Sequence, residues 1–211
     1  MQNTSIPEGK ATVTTAWVKA NGLTFEVAQA GAGDHLALCL HGFPELNYSW
    51  RYQMSTLAKK GYRVWAPNQR GYGGSTKPVG IENYTVDKIV ADAAALFDAS
   101  GASRLTIIGH DWGGVIAWLF AINKVRPIEW LVVMNLPHPH CFAAALRHWP
   151  QRLRSWYIAA VQLPWLPEWW LARNDAIAIR QAFHRMAIDK SRFPDDVLEK
   201  STPPLRESLA L

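Results

Sequence analysis

The sequence predicts an α/β protein: a mostly parallel sheet with helices on both faces over residues 1–136, then a helical excursion over 137–211. Three observations carry that expectation. Uninterrupted apolar runs, LALCLHG (36–42), RVWAPNQ (63–69), RLTIIGHD (104–111) and WLVVMNL (130–136), read as strands buried on both faces. Segments with helical spacing (48–60, 85–100 and 115–124) separate these runs, and strand–helix alternation makes parallel pairs. After Pro137 the pattern changes to helical periodicity interrupted by Pro150, Pro164, Pro167 and Pro203-Pro204, with no buried strand legible.

Each element has a local reason. TVTTAWVKANG and LTFEVAQAGAG are β-rich, and Asn21-Gly22 between them is a hairpin turn signal. From Tyr48 to Lys60, Trp50, Met54, Leu57 and Ala58 fall on one helical face, with Gly61 to end the helix. RVWAPNQ runs into the glycine-rich loop RGYGGS (70–75), and the amphipathic segment Thr85–Ser100 is closed by Gly101. RLTIIGHD passes through a glycine-rich turn into VIAWLFAINK. No internal repeat is visible.

Composition excludes several classes. Of 211 residues, 49% are hydrophobic and 18% charged, which rules out a disordered chain. The net charge of +5 is spread without a block of like charge, so no nucleic-acid partner is expected. No apolar run approaches a membrane span, and the polar N-terminus lacks a signal-peptide core, so no membrane partner is expected. Two cysteines, Cys39 and Cys141, make neither a disulfide framework nor a metal pair, and a cytoplasmic setting fits. No metal or cofactor is implied. Eleven tryptophans are unusual; Trp149, Trp156, Trp165, Trp169 and Trp170 suggest a region covering an apolar cavity, or equally a tryptophan-rich helical core.

The chemistry-bearing segment is Gly109-His110-Asp111-Trp112-Gly113-Gly114, where a strand passes into a helix. The pattern small-x-Asp-x-small-small suits a turn so sharp that its central residue is strained and its neighbours must be small. Such a turn holds one side chain above the carboxyl ends of the strands; a helix N-cap is the plainer reading of the same Asp. An Asp nucleophile would specify its electrophile. Serine attacking a saturated carbon leaves an ether, which resists water, whereas a carboxylate leaves an ester that water can cleave. An epoxide or a halide is implied, and esters and amides are not.

His41-Gly42-Phe43-Pro44-Glu45 ends an earlier strand. Glycine at a strand end admits close backbone approach, so the Phe43 N–H can face a developing oxyanion, with the Trp112 N–H as its partner. The same residues would also make an ordinary β-turn.

HGFPELNYSWRYQ, APNQRGYGGSTKP and GHDWGG, in this order, resemble the α/β-hydrolase superfamily and, more narrowly, the soluble epoxide hydrolases, including bacterial ones. The resemblance implies an α/β-hydrolase fold with a core of six strands over 1–136, a partial helical cap over 137–211, and the last two strands missing. It implies Asp111 as nucleophile, the N–H groups of Phe43 and Trp112 as oxyanion hole, and His41, Gly42, Pro44, His110 and Gly113 as site-supporting residues. Epoxide opening needs an acid for the departing oxygen, and WYIAAVQLP (156–164) resembles the cap segment carrying the first of two tyrosines, which gives Tyr157 that role. Asn68 stands where the family usually has Asp, with no functional reading.

The family continues with a second cap tyrosine, an acid and a histidine, none encoded in these 211 residues. Asn135 matches the position of an alternative acid in some dehalogenases but is neutral. His138 and His140 match a noncatalytic Pro-His-Pro; His148 and His184 fall on expected cap helices, and His35 is expected to be exposed. The implied reaction is opening of a small apolar or aryl epoxide to a diol through an alkyl ester, with water as second substrate and no turnover by this chain alone. The alternatives are a haloalkane dehalogenase, in which Asn usually replaces Phe43, and a noncatalytic or unstable remnant. An unpaired WLVVMNL edge would make the chain poorly soluble or a homodimer.

Overall fold

The computed structural model describes residues 12–156 and positions 189, 191, 194, 197 and 198. The chain divides into two compact units, Met1–Leu136 and Pro137–Leu211.

The first unit is built on six strands: β1 (Thr14–Ala20), β2 (Leu23–Ala30), β3 (His35–Leu40), β4 (Arg63–Pro67), β5 (Arg104–His110) and β6 (Trp130–Met134). Their order across the sheet is β1-β2-β4-β3-β5-β6. The β3–β4, β3–β5 and β5–β6 pairs are parallel, and the β1–β2 and β2–β4 pairs antiparallel. Helices α1 (Arg51–Lys59), α2 (Val86–Ser100) and α3 (Trp112–Ile122) make the connections.

The apolar run of β3 has a simple cause. Leu36, Leu38 and Leu40 enter one core with α2 and α3, where Phe97, Ile116 and Phe120 lie. Ala37 and Cys39 enter a second core with Trp50 and Met54. A strand buried on both faces has no polar face, so alternation disappears from its sequence. Burial also pushes the Cys39 thiol up to about 12, which makes it an inert core group.

The β1–β2 hairpin turns through Asn21 and Gly22, both at positive φ (48° and 72°), the geometry that Asn-Gly favours. Gly101 ends α2 in the left-handed region at φ 66°.

Several boundaries differ from the sequence expectation. Asn47–Trp50 is a 3₁₀ turn and the α-helix starts only at Arg51; no side chain caps either start. The helix after β5 begins at Trp112, three residues early, because the Asp111 carbonyl already accepts from Gly114 and Val115. β6 stops at Met134, since Asn135 turns to φ 57°. His35 is half-buried: its ring packs on Tyr62 at 4.6 Å and its Nε2 pairs with Thr106 Oγ1 at 2.8 Å.

In the second unit the described residues form α4 (Pro139–Ala145) and α5 (Trp149–Arg154) and contain no strand. His138 caps α4, its side chain accepting from the His140 N–H at 3.2 Å. His148 stands before α5 in extended conformation rather than within a helix. Tyr157, His184, Trp165, Trp169 and Trp170 lie outside the described residues. Among the described residues no helix is long and apolar enough to cross a membrane.

The topology fixes where a site can form. From β3 the chain passes through α1 to β4 on one side, then through α2 to β5 on the other. The loops leaving β3 and β5 therefore part at the carboxyl ends of adjacent parallel strands, the crevice where α/β sheets bind ligands.

Candidate active site

Asp111 stands at the end of β5 with φ 51° and ψ −119°. A non-glycine residue at positive φ is strained, by about 1–3 kcal/mol, and persists only where its surroundings impose it. Here both sides do so. The Asp111 N–H donates to Met134 O (3.2 Å), extending the β5–β6 ladder, while its carbonyl accepts from Gly114 N (2.8 Å) and opens α3. A Cβ on Gly109 would lie 2.3 Å from Gly113 O, and one on Gly113 would lie 2.1 Å from Leu40 O. The turn excludes side chains at both positions, which explains the spacing of small residues around the Asp.

Opposite lies the turn after β3. The Glu45 N–H closes on Gly42 O at 3.0 Å, with Pro44 inside the turn after a cis peptide bond. Phe43 directs its N–H onto Asp111 Oδ1 at 3.1 Å. The segment is thus both a β-turn and a donor aimed at the carboxylate. Trp112 is the first residue of α3, so its N–H has no acceptor within the helix. Its side chain is half-exposed.

His41 is fully buried. Its Nε2 accepts from the Gln69 N–H (3.1 Å), so Nδ1 carries the proton and donates to Gly42 O (3.0 Å). Burial pushes its pKa down to about 4, against the smaller pull of the Gly42 carbonyl and Glu45. It is a neutral brace between the β3 turn and the loop after β4.

His110 faces outward from the elbow. Its Nδ1 lies 3.0 Å from Glu45 Oε2 and its Nε2 3.0 Å from Asn135 Nδ2. The hydrogen bond to Glu45 raises its pKa above the ordinary imidazole value, against partial desolvation, with the charges of Glu45 and Asp111 adding to the rise. Burial alone would raise Glu45, but the His110 hydrogen bond and charge, with the Gly42 amide, hold it below the usual carboxylate range.

The sequence missed two participants. Tyr72 of RGYGGS packs edge-on against His41 (4.9 Å between centroids), and burial, with the Asp111 charge added, pushes its phenol up to about 12. It is a protonated hydroxyl near Asp111, and its only signal was membership of the glycine-rich loop. Glu45 was visible as the end of HGFPE, but its partner lies 65 residues away. Asn68 also acquires a reason: its Nδ2 donates to Glu26 Oε2 (2.7 Å) and its Oδ1 accepts from Asn47 N (2.8 Å). The Arg70 guanidinium pairs with Asp92 through two bonds of 2.6 Å, both groups buried, anchoring the same loop to α2.

The structure therefore brings together Asp111, Phe43, Trp112, His41, Gly42, Pro44, His110 and Gly113; Tyr157 lies outside the described residues. No group of three metal-ligating side chains occurs among the described residues.

A strained Asp on a strand-to-helix elbow, faced by a backbone donor from the neighbouring strand, places this chain in a known class. It belongs to the α/β-hydrolase fold family, whose model matches residues 38–183. Within that class the similarity runs to epoxide hydrolases. The chain is 44% identical over 168 residues to epoxide hydrolase 4 of Homo sapiens, covering 79% of this chain and 46% of that one. It is also 44% identical over 161 residues to the AB hydrolase superfamily protein YfhM of Bacillus subtilis, covering 75% and 56%. Among solved structures, a mutant epoxide hydrolase from Bacillus megaterium bound to its naphthyloxy-propanediol product superposes with a TM-score of 0.82 at 27% identity, covering 91% of this chain and 66% of that one. The chain spans about half the length of these curated relatives.

Proposed function

We propose that this chain supplies the epoxide-opening half of an epoxide hydrolase, with Asp111 as nucleophile. The observation that carries the reading is the Phe43 N–H on Asp111 Oδ1 at 3.1 Å, which leaves the second carboxylate oxygen for attack. That oxygen bonds to an epoxide carbon as the carbon–oxygen bond of the ring breaks. The released alkoxide takes a proton from the Tyr157 phenol, which the family resemblance puts in a partial helical cap over 137–211. The product is an alkyl ester on Asp111.

Cleavage of that ester begins with water adding to the Asp111 carboxyl carbon. Negative charge then gathers on Oδ1, where Phe43 already donates and the Trp112 N–H would join it. Collapse breaks the ester bond and releases a vicinal diol, and the proton left over from the water returns to the Tyr157 phenolate, restoring the Asp111 carboxylate. The family resemblance assigns activation of that water to an acid and a histidine that follow the cap. The naphthyloxy-diol product of the Bacillus megaterium relative supports an aryl epoxide substrate. Phe43 has no side-chain donor to hold a leaving halide, which favours an epoxide over a haloalkane.

The test uses mass spectrometry of the polypeptide after incubation with a reactive aryl epoxide. One substrate mass on the peptide containing Asp111, abolished by Asp111→Asn and slowed by Tyr157→Phe, is expected. A label on Cys39, Cys141 or a histidine instead is ordinary alkylation and removes the reading. Chloride release from 1-haloalkanes as fast as epoxide opening, by the full-length protein, would reassign it to the dehalogenases.

A further inference from the structure

We propose that Glu45 is a positioning residue for Asp111: its carboxylate ties His110, the residue before the nucleophile, to the Gly42 amide of the turn that carries Phe43. One oxygen makes both contacts, Glu45 Oε2 lying 3.0 Å from His110 Nδ1 and 3.3 Å from Gly42 N. The Glu45 amide closes the same turn on Gly42 O at 3.0 Å. Phe43 sits between these two anchors, and its N–H meets Asp111 Oδ1 at 3.1 Å. The end of β5 and the loop after β3 are thus locked together on either side of a donor aimed at Asp111.

Asn135, the residue after β6, completes the lock. Its Nδ2 only donates, so His110 Nε2 accepts and Nδ1 holds the proton given to Glu45. The groups facing His110 are therefore two carboxylates, Glu45 and Asp111, and one neutral donor, Asn135. A second proton, on Nε2, would set two donors against each other and turn the Asn135 amide or the ring. The state of His110 is in this way transmitted through Glu45 to Gly42 and Phe43. Glu45 forms no bond to substrate; it acts through the amide it aims.

The catalytic meaning rests on the Asp111 reading above, so the experiment reads the positioning separately. NMR spectra of the full chain follow the His110 ring and the Phe43 amide as pH changes. In the unmodified chain the Phe43 amide should shift with the midpoint of His110. Glu45→Gln keeps an acceptor oxygen but loses the charge; both midpoints should fall together, by about one pH unit or more. Asn135→Ala removes the opposing donor, and both midpoints should rise. In Glu45→Ala the Phe43 amide should lose its downfield position, and Asp111 alkylation by an aryl epoxide should slow about tenfold or more, with Glu45→Gln within about threefold of the unmodified rate. Should Glu45→Ala not fold, the midpoints in Glu45→Gln and Asn135→Ala decide. A Phe43 amide that ignores the His110 midpoint, or midpoints unmoved in Glu45→Gln, overturns the proposal. Linked midpoints in a chain never alkylated at Asp111 would uphold Glu45 as the residue that positions Phe43 and overturn the nucleophile reading alone.

Discussion

Gly42 and Asp111 leave no room between them: a Cβ on residue 42 would lie 2.6 Å from Asp111 Cβ and 3.0 Å from its Oδ1. The contact is between two loops leaving neighbouring parallel strands, and it sets how closely the Phe43 amide can approach the carboxylate.

Gly42→Ala should therefore fold and fail. Relief of the clash must push the turn or the elbow aside, and a displacement near 1 Å at a reacting group can cost about 100-fold in rate. The expected result is alkylation of Asp111 slowed about 100-fold, with far-UV circular dichroism unchanged.

Asp92→Ala should destabilise the chain severely. It strands the buried Arg70 guanidinium, which loses both 2.6 Å bonds to Asp92. Breaking one side of a buried pair costs about 3–5 kcal/mol, which in a chain of this size lowers the melting temperature by about 10 °C. Calorimetry of the variant against the unmodified chain checks it.

His41 predicts an acid-side loss of stability. Its pKa is about 4 in the folded chain against 6.5 as the ordinary value, so the unfolded state binds the proton first as pH falls. Stability from this group is complete above about pH 6.5 and declines towards pH 4, by roughly 3 kcal/mol in all. His110, with its raised pKa, acts in the opposite sense: its contribution is present at low pH and is lost as pH rises. Glu45 is held low and adds its own loss only in the carboxylate range. Denaturant melts between pH 7 and 5 should show the fall, and His41→Gln should flatten or reverse it.

Asn68→Asp should be harmful here, although the family usually has Asp at this position. A carboxylate in place of the Asn68 amide would face Glu26 Oε2 at the 2.7 Å now bridged by an N–H donor. The two acids would have to share a proton, and the cost at neutral pH should be roughly 1–3 kcal/mol. Adding Glu26→Gln should restore stability, as a double-mutant cycle would show; a neutral single mutant would contradict the argument.

The sequence was legible where short-range rules apply. β3 and β5 announced themselves because both their faces are buried, the hairpin because Asn21-Gly22 suits left-handed backbone, and the elbow because Gly109 and Gly113 cannot carry a Cβ. What escaped depended on partners distant in sequence. Nothing beside His35 tells of Thr106 and Tyr62, and nothing beside Asn68 tells of Glu26. Tyr72 and Glu45 stood in plain view inside their motifs, but their relation to Asp111 and His110 exists only once β3, β4 and β5 are side by side. The late start of α1 escaped for another reason: Trp50 is buried on the same face as Met54, so a 3₁₀ turn and a helical turn leave the same apolar pattern.

The pairing of Leu40 with Gly109 across β3 and β5 makes the centre a gauge of strand register. A slip of one residue along β3 would carry Phe43 about 3.3 Å from Asp111 and turn Leu36, Leu38 and Leu40 to the opposite core. Every molecule that can be labelled at Asp111 must therefore have its central strands aligned to within a fraction of one residue. Labelled fraction, measured during refolding, would count correctly threaded sheets, and would lag behind any optical signal that reports strand content alone.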